Sequence, residues 1–226
     1  MRRRLLLLAA PLALSATASG ILATGVVGSL SGFTASITNG SNSYAAGTIL
    51  LSETQGANTC ISTGSNTTSS NTVSSADANT SCTAINLFGS QTAADPGVSA
   101  TTSTVTVKNI GTIGASALTL TPAGCSATAN SATSPYSGSD TSGFCGKIDV
   151  TIYNGTNCVY PSQSGACPSP SSSYTLSTLG TTAQSLGSLA ANASTTYTFA
   201  LQLDATATNA DQGLSASESF AWNLSQ

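Results

Sequence analysis

The side chains in this chain that could do chemistry are few: eight carboxylates, six cysteines, and Lys108 and Lys147 beyond an opening run of three arginines, with no histidine anywhere. Without an imidazole there is no Ser-His-Asp or Cys-His relay and no His-ligated zinc site. The cysteines form no Cys-x-x-Cys pair, so a thiolate zinc site is not indicated either. Gly146-Lys147 is followed by Ile148, which fits neither a phosphate-cradling loop nor a dinucleotide turn. Two carboxylates would suffice for glycoside hydrolysis. Glu53, Asp149, Asp204 and Glu218 are the acids close to strand-like segments. Asp149 and Glu218 fall where solvated strand positions or strand ends are expected. Asp204 and Asp211 flank a turn and could offer oxygens to calcium, although acidic turns are commonly just solvated. The reading therefore expects no enzyme, no cofactor and no bound metal.

The cysteines point to a different chemistry. The chain opens with Met1-Arg2-Arg3-Arg4, an apolar run over residues 5–14 and the small-residue box Ala16-Thr17-Ala18, the pattern of an export signal. Residues 1–31 are read as signal peptide, with cleavage between 18 and 32. A permanent anchor through residue 30 fits poorly with the Gly, Ser and Thr that interrupt the apolar run. In an exported chain, Cys60, Cys82, Cys125, Cys145, Cys158 and Cys167 read as three disulfides. Fifteen connectivities are formally possible. The simplest closes the polar stretch between each neighbouring pair: Cys60–Cys82, Cys125–Cys145 and Cys158–Cys167.

Charge narrows the partners. Once the signal is removed, two lysines stand against eight acids, a formal side-chain charge of −6. Two lysines cannot form the clustered patch that nucleic acid or an anionic membrane requires. No nucleic-acid partner and no stable membrane anchor after processing are expected.

The elements that position these residues read as strands. Apolar and polar residues alternate with a period of two in Val105 and Val107, in Ile148, Val150 and Ile152, in Tyr197, Phe199, Leu201 and Leu203, and in Phe220, Trp222 and Leu224. Phe33, Ala35 and Ile37, and Leu118 and Leu120, repeat the pattern more briefly. Asn39-Gly40, Asn109-Ile110-Gly111 and Asn154-Gly155 punctuate the runs. No convincing helical stripe lies outside the signal. The expected fold is all-β, an antiparallel β-sandwich of jelly-roll type. It comprises a single domain over residues 32–226, with disulfide-pinned polar surface loops at about 54–83 and 125–145. Trp222 is expected on the core face with Phe220 and Leu224.

Three blocks carry a family resemblance. Phe33-Thr34-Ala35 followed by Gly40-Ser41-Asn42-Ser43-Tyr44-Ala45-Ala46-Gly47-Thr48-Ile49-Leu50-Leu51 resembles the start of mature TasA/camelysin-like proteins. Val105-Thr106-Val107-Lys108-Asn109-Ile110-Gly111 is similar to the family's strand ending in Lys-Asn-x-Gly. Asn209-Ala210-Asp211-Gln212-Gly213 through Phe220-Ala221-Trp222 is similar to its closing turn and aromatic strand. Gly32 stands where the family carries an aromatic. The resemblance implies a Gram-positive bacterial surface or biofilm-matrix protein that assembles into extracellular fibres. In that assembly an N-terminal strand, here Phe33, Ala35 and Ile37, is donated to a neighbouring subunit. The metalloprotease label attached to some camelysin-like members is not carried over, since no histidine ligand exists.

The leading expectation is a secreted structural subunit of an extracellular fibre, biofilm matrix or surface layer. It would act in the extracellular matrix or at the cell surface, self-assembling into a homopolymer and meeting other surface or matrix proteins. The alternative is a secreted carbohydrate-binding or adhesive module, which calls for an exposed aromatic platform.

Overall fold

The computed structural model describes residues 45–62, 82–89, 91, 94–129 and 138–226, and every element below lies in the compact unit Gly47–Gln226. The signal segment and the expected donor residues Phe33, Ala35 and Ile37 lie outside the described residues. The class is all-β, and all of the strand pairs are antiparallel.

The large alternating side chains build the main sheet. β1 (Leu51–Gln55), β2 (Asn58–Ile61), β3 (Thr101–Asn109), β6 (Ile148–Asn154), β7 (Asn157–Tyr160) and β9 (Ser194–Leu203) align in the order β2-β1-β3-β9-β6-β7. Val105 pairs with Tyr197, and Ile152 with Phe199. All four are essentially sealed from solvent. Their polar alternates, such as Thr104 opposite Thr198, occupy the other face, as the pleat requires.

A second, narrower layer is made by β4 (Ala115–Pro122), β8 (Gln184–Leu189) and β11 (Phe220–Ser225), in the order β11-β4-β8. The β4–β8 register shifts between Ala115 and Leu118. That irregularity lets both residues turn inward even though their spacing breaks the period of two. β5 (Ser126–Ala129) pairs with β10 (Leu214–Ser217). Ala123 N–H donates to the Ser219 carbonyl, linking this pair to the β4–β11 ladder across a break at Gly124-Cys125 and Glu218-Ser219. Leu118 and Leu120 join Val105, Val107, Tyr197 and Phe199 in one hydrophobic core. Burial of such side chains contributes ~1.5–3 kcal/mol each.

Two polar devices hold the layers in register. Asn109 has no solvent exposure. Its amide donates to the Ile113 and Leu189 carbonyls at 2.9 and 3.2 Å, and its oxygen accepts the Gly111 N–H at 2.9 Å. This satisfied amide ties β3 to the start of β4 and the end of β8. Gly111 is needed for close approach, because a Cβ there would collide with the Thr48 carbonyl oxygen. The second device is a one-turn helix, α1 (Leu176–Leu179). Thr175 and Thr178 cap it reciprocally, at 3.2 and 2.8 Å, so that Leu176 and Leu179 enter the core.

The polar stretches need a correction. The segments expected as disulfide-pinned polar surface loops at about 54–83 and 125–145 contain the end of β1, all of β2 and all of β5. These strands are stabilised by cross-strand hydroxyl pairs rather than apolar alternation. Thr54 meets Thr59 at 3.2 Å, and Thr128 meets Ser215 at 3.1 Å.

Candidate functional site

β11 is the outermost strand of the narrow layer, and among the described residues nothing pairs with its outer edge. Its inward side chains Phe220, Trp222 and Leu224 are only half-buried, while Ala221, Asn223 and Ser225 are exposed. Phe220 stacks edge-on against Phe199 and Phe88, with ring centroids 5.4 and 5.9 Å apart. Trp222 lies 5.2 Å from the Tyr197 ring. It thus faces the core as expected, yet it sits at the rim, because no further strand covers it among the described residues.

The rim explains the partner of the indole. Glu53 lies two residues after the buried Leu51 on β1 and opposite Val107, so the pleat turns it inward. Its Oε1 accepts the Trp222 Nε1–H at 2.7 Å. Desolvation raises the Glu53 carboxyl above its ordinary value, and the indole hydrogen bond partly opposes this. An acid and a tryptophan therefore bridge the two layers beside a strand edge. The sequence carries a signal for this contact, since Glu53 is in phase with Leu51, but the partner is 169 residues away.

Glu218 is the second carboxylate beside β11. Both of its oxygens are sealed from solvent without a bonding partner. Burial pushes the carboxyl from 4.5 up to about 7, against a weaker pull from the Gly124 backbone. It lines a cleft of about 670 Å³ whose walls include Phe88, Phe144, Leu201 and Leu214. Val98, 55% exposed, stands at the same cleft. The expectation of a solvated strand-end position for Glu218 is overturned, because the break between β10 and β11 folds the residue inward.

Asp149 is likewise not solvated, being 4% exposed with Oδ1 unpartnered. The chain over residues 161–175 folds back across β6, with Val150 N–H donating to the Tyr174 carbonyl. Burial, and next the nearby Asp204 charge, push the Asp149 carboxyl up to about 6, while Lys147 opposes this. Asp204 accepts the Thr206 N–H at 2.6 Å, and Thr206, first through its hydroxyl and then through this N–H, holds the carboxyl below its usual range. Asp211 accepts the Thr208 N–H at 2.7 Å and caps a short 3-10 turn. The two acids proposed to flank a calcium turn each serve their own turn, and no group of three metal-ligating side chains occurs among the described residues. Glu53 and Glu218 are also not paired. Trp222, the partner of Glu53, lies on β11, whereas Glu218 precedes that strand, and neither carboxylate acts electrostatically on the other.

The disulfides join Cys60 to Cys82, Cys125 to Cys145 and Cys158 to Cys167, so each closes a local loop. No helix among the described residues is long and apolar enough to cross a membrane. Compared with known proteins, the chain matches no protein-family model, and no curated protein is similar to it.

Proposed function

We propose that this chain is a secreted structural subunit of an extracellular fibre, biofilm matrix or surface layer, and that it assembles by β-strand addition at the outer edge of β11. The observation that carries this reading is the edge itself. A half-buried aromatic row, Phe220, Trp222 and Leu224, ends the narrow layer with a backbone ladder that no described strand completes. Such an edge offers backbone hydrogen bonds and alternating side-chain pockets to an incoming strand.

The donor is the segment at Phe33, Ala35 and Ile37, whose alternation supplies side chains of matching period. Three disulfides support an extracellular setting, and the Arg-rich, apolar opening supports export. The layered antiparallel strands are compatible with the jelly-roll topology that the TasA/camelysin-like resemblance implies. A head-to-tail exchange that does not close on itself grows filaments.

Electron microscopy of mature protein tests the reading. Full-length mature protein is expected to form fibres, and protein lacking residues 32–38 is expected to stay dispersed until a peptide of that sequence is added. Fibres of undiminished number from the truncated protein would rule out donation by this segment.

A further inference from the structure

The outer face of the main sheet carries hydroxyl side chains in two states. Towards β2 they bond one another, Thr54 to Thr59 at 3.2 Å and Thr106 to Thr196 at 2.9 Å. Towards β6 they do not. Thr151, Tyr153 and Ala200 share this face, since Thr151 pairs with Ala200, and Tyr153 with Thr198 and Cys158. Tyr153 makes no side-chain hydrogen bond and no ring contact, and Thr151, Thr156 and Ser169 make no side-chain hydrogen bond.

These groups line one groove. The Cys158–Cys167 disulfide draws the following loop over the face, so that Pro168 and Pro170 wall a hollow of about 340 Å³ floored by Thr151 and Ala200. The floor is buried while the rim at Thr156 and Ser169 is exposed. The wall is braced by Cys158 N–H donating to the Gly165 carbonyl at 3.2 Å and by Gln163 Nε2–H donating to the Ala166 carbonyl at 2.8 Å. No charged side chain lines the groove.

We propose that this groove, beneath the disulfide-pinned loop and beside Tyr153, binds a neutral oligosaccharide. The chemistry of the lining selects that ligand class. An aromatic ring and two prolines suit the apolar C–H face of a pyranose, and Tyr combines such a surface with a polar tip. The exposed hydroxyls of Thr156 and Ser169, unused within the protein, suit a ligand rich in donors and acceptors, because each exchanges a water for the ligand without breaking a bond inside the protein. The absence of charge disfavours an ionic ligand, which would be desolvated without a counter-charge. A wall held by a disulfide and two hydrogen bonds loses little freedom when the ligand enters. The site lies on the face opposite the core and does not depend on how subunits assemble.

Calorimetric titration of mature protein at millimolar concentrations of cellohexaose, laminarihexaose, mannohexaose and chitohexaose, with hexagalacturonate as the charged probe, tests the assignment. At least one neutral probe is expected to bind saturably, and Tyr153→Ala to weaken it roughly tenfold or more with an unchanged melting temperature. Should Tyr153→Ala unfold, Ser169→Trp, at an exposed rim position, fills the groove from outside and is expected to abolish binding. Binding that survives in both variants, binding of the charged probe alone, or no saturable binding by any neutral probe would each overturn the proposal.

Discussion

Two carboxylates lie beside the same edge strand and differ in what meets them. Glu53 reaches across the layers and receives an indole N–H at 2.7 Å. Glu218, at the break between β10 and β11, lines a cleft of mixed polar and apolar walls and meets no side-chain donor. Burial raises both, but only Glu53 has a side chain that pulls back. A buried acid with a side-chain donor acts as a strut between sheets, whereas one opposed only weakly by the Gly124 backbone is a local source of instability that varies with pH.

The largest perturbation removes the strut's other end. Trp222→Ala deletes the contact with Tyr197 and leaves Glu53 buried and unpartnered, and it is expected to cost ~3–5 kcal/mol in denaturant unfolding. A loss below about 1 kcal/mol would mean that the bridge is ornamental.

Next is the wall beside Glu218. Cys125 follows Gly124 directly and is joined to Cys145 across 20 residues. Replacing both by Ser is expected to cost ~3 kcal/mol and to flatten the pH dependence described next, because water then reaches the carboxylate.

Replacing Glu218 by Met, of similar shape, is expected to stabilise the protein at pH 8 by ~1–3 kcal/mol and to change little at pH 4. The direction follows from linkage. A carboxyl whose folded value is raised from 4.5 to about 7 holds its proton more tightly in the folded state. That stability is fully present below 4.5 and is lost as pH rises through about 7. Asp149, raised to about 6, adds to the trend, while the lowered Asp204 opposes it only at the acid end. Melting temperature should therefore fall from pH 4.5 to pH 8 in the natural protein, and fall less in Glu218→Met. A wild-type profile that rises over this interval would contradict the picture of an unpartnered acid.

The smallest effect is at Glu53 itself. Glu53→Gln keeps an oxygen for the indole while removing the charge, and it is expected to shift stability by less than ~1 kcal/mol at pH 8. Added EDTA should leave the melting curve of the natural protein unchanged.

The long strands were legible because their side chains alternate between large apolar and polar residues. β3, β6, β9 and β11 can be traced from Val105, Val150, Phe199 and Trp222 and their neighbours two residues away. β2, β5 and β10 were not legible, since strands of four residues with at most one large apolar side chain, Ile61 in β2 and Leu214 in β10, owe their pairing to partners that local pattern does not name. The acids failed to read for a similar reason. Asp149 alternates out of the core as its phase demands, and it is buried only because a loop from beyond residue 160 crosses it. Glu218 is polar in a polar neighbourhood of sequence, and the strand break that folds it inward leaves no periodic trace. The bridge between Glu53 and Trp222 was half-visible: each phase pointed inward, and nothing local could say that the two would meet.

The close packing at Gly111 bears on mechanics. The chain enters the folded unit at residues 47–51, alongside residues 109–113. There Ile110 N–H donates to the Leu50 carbonyl at 2.8 Å and Thr112 N–H to the Thr48 carbonyl at 2.9 Å. A pull applied from the N-terminal side loads these bonds first. None of the three disulfides lies between that point and β1, since the first cysteine is Cys60, on β2 opposite Glu53. Tension on the N-terminal side would thus be carried at entry by a few backbone bonds clasped around a glycine, and the first yielding event would occur at the same force whether the cysteines are oxidised or reduced.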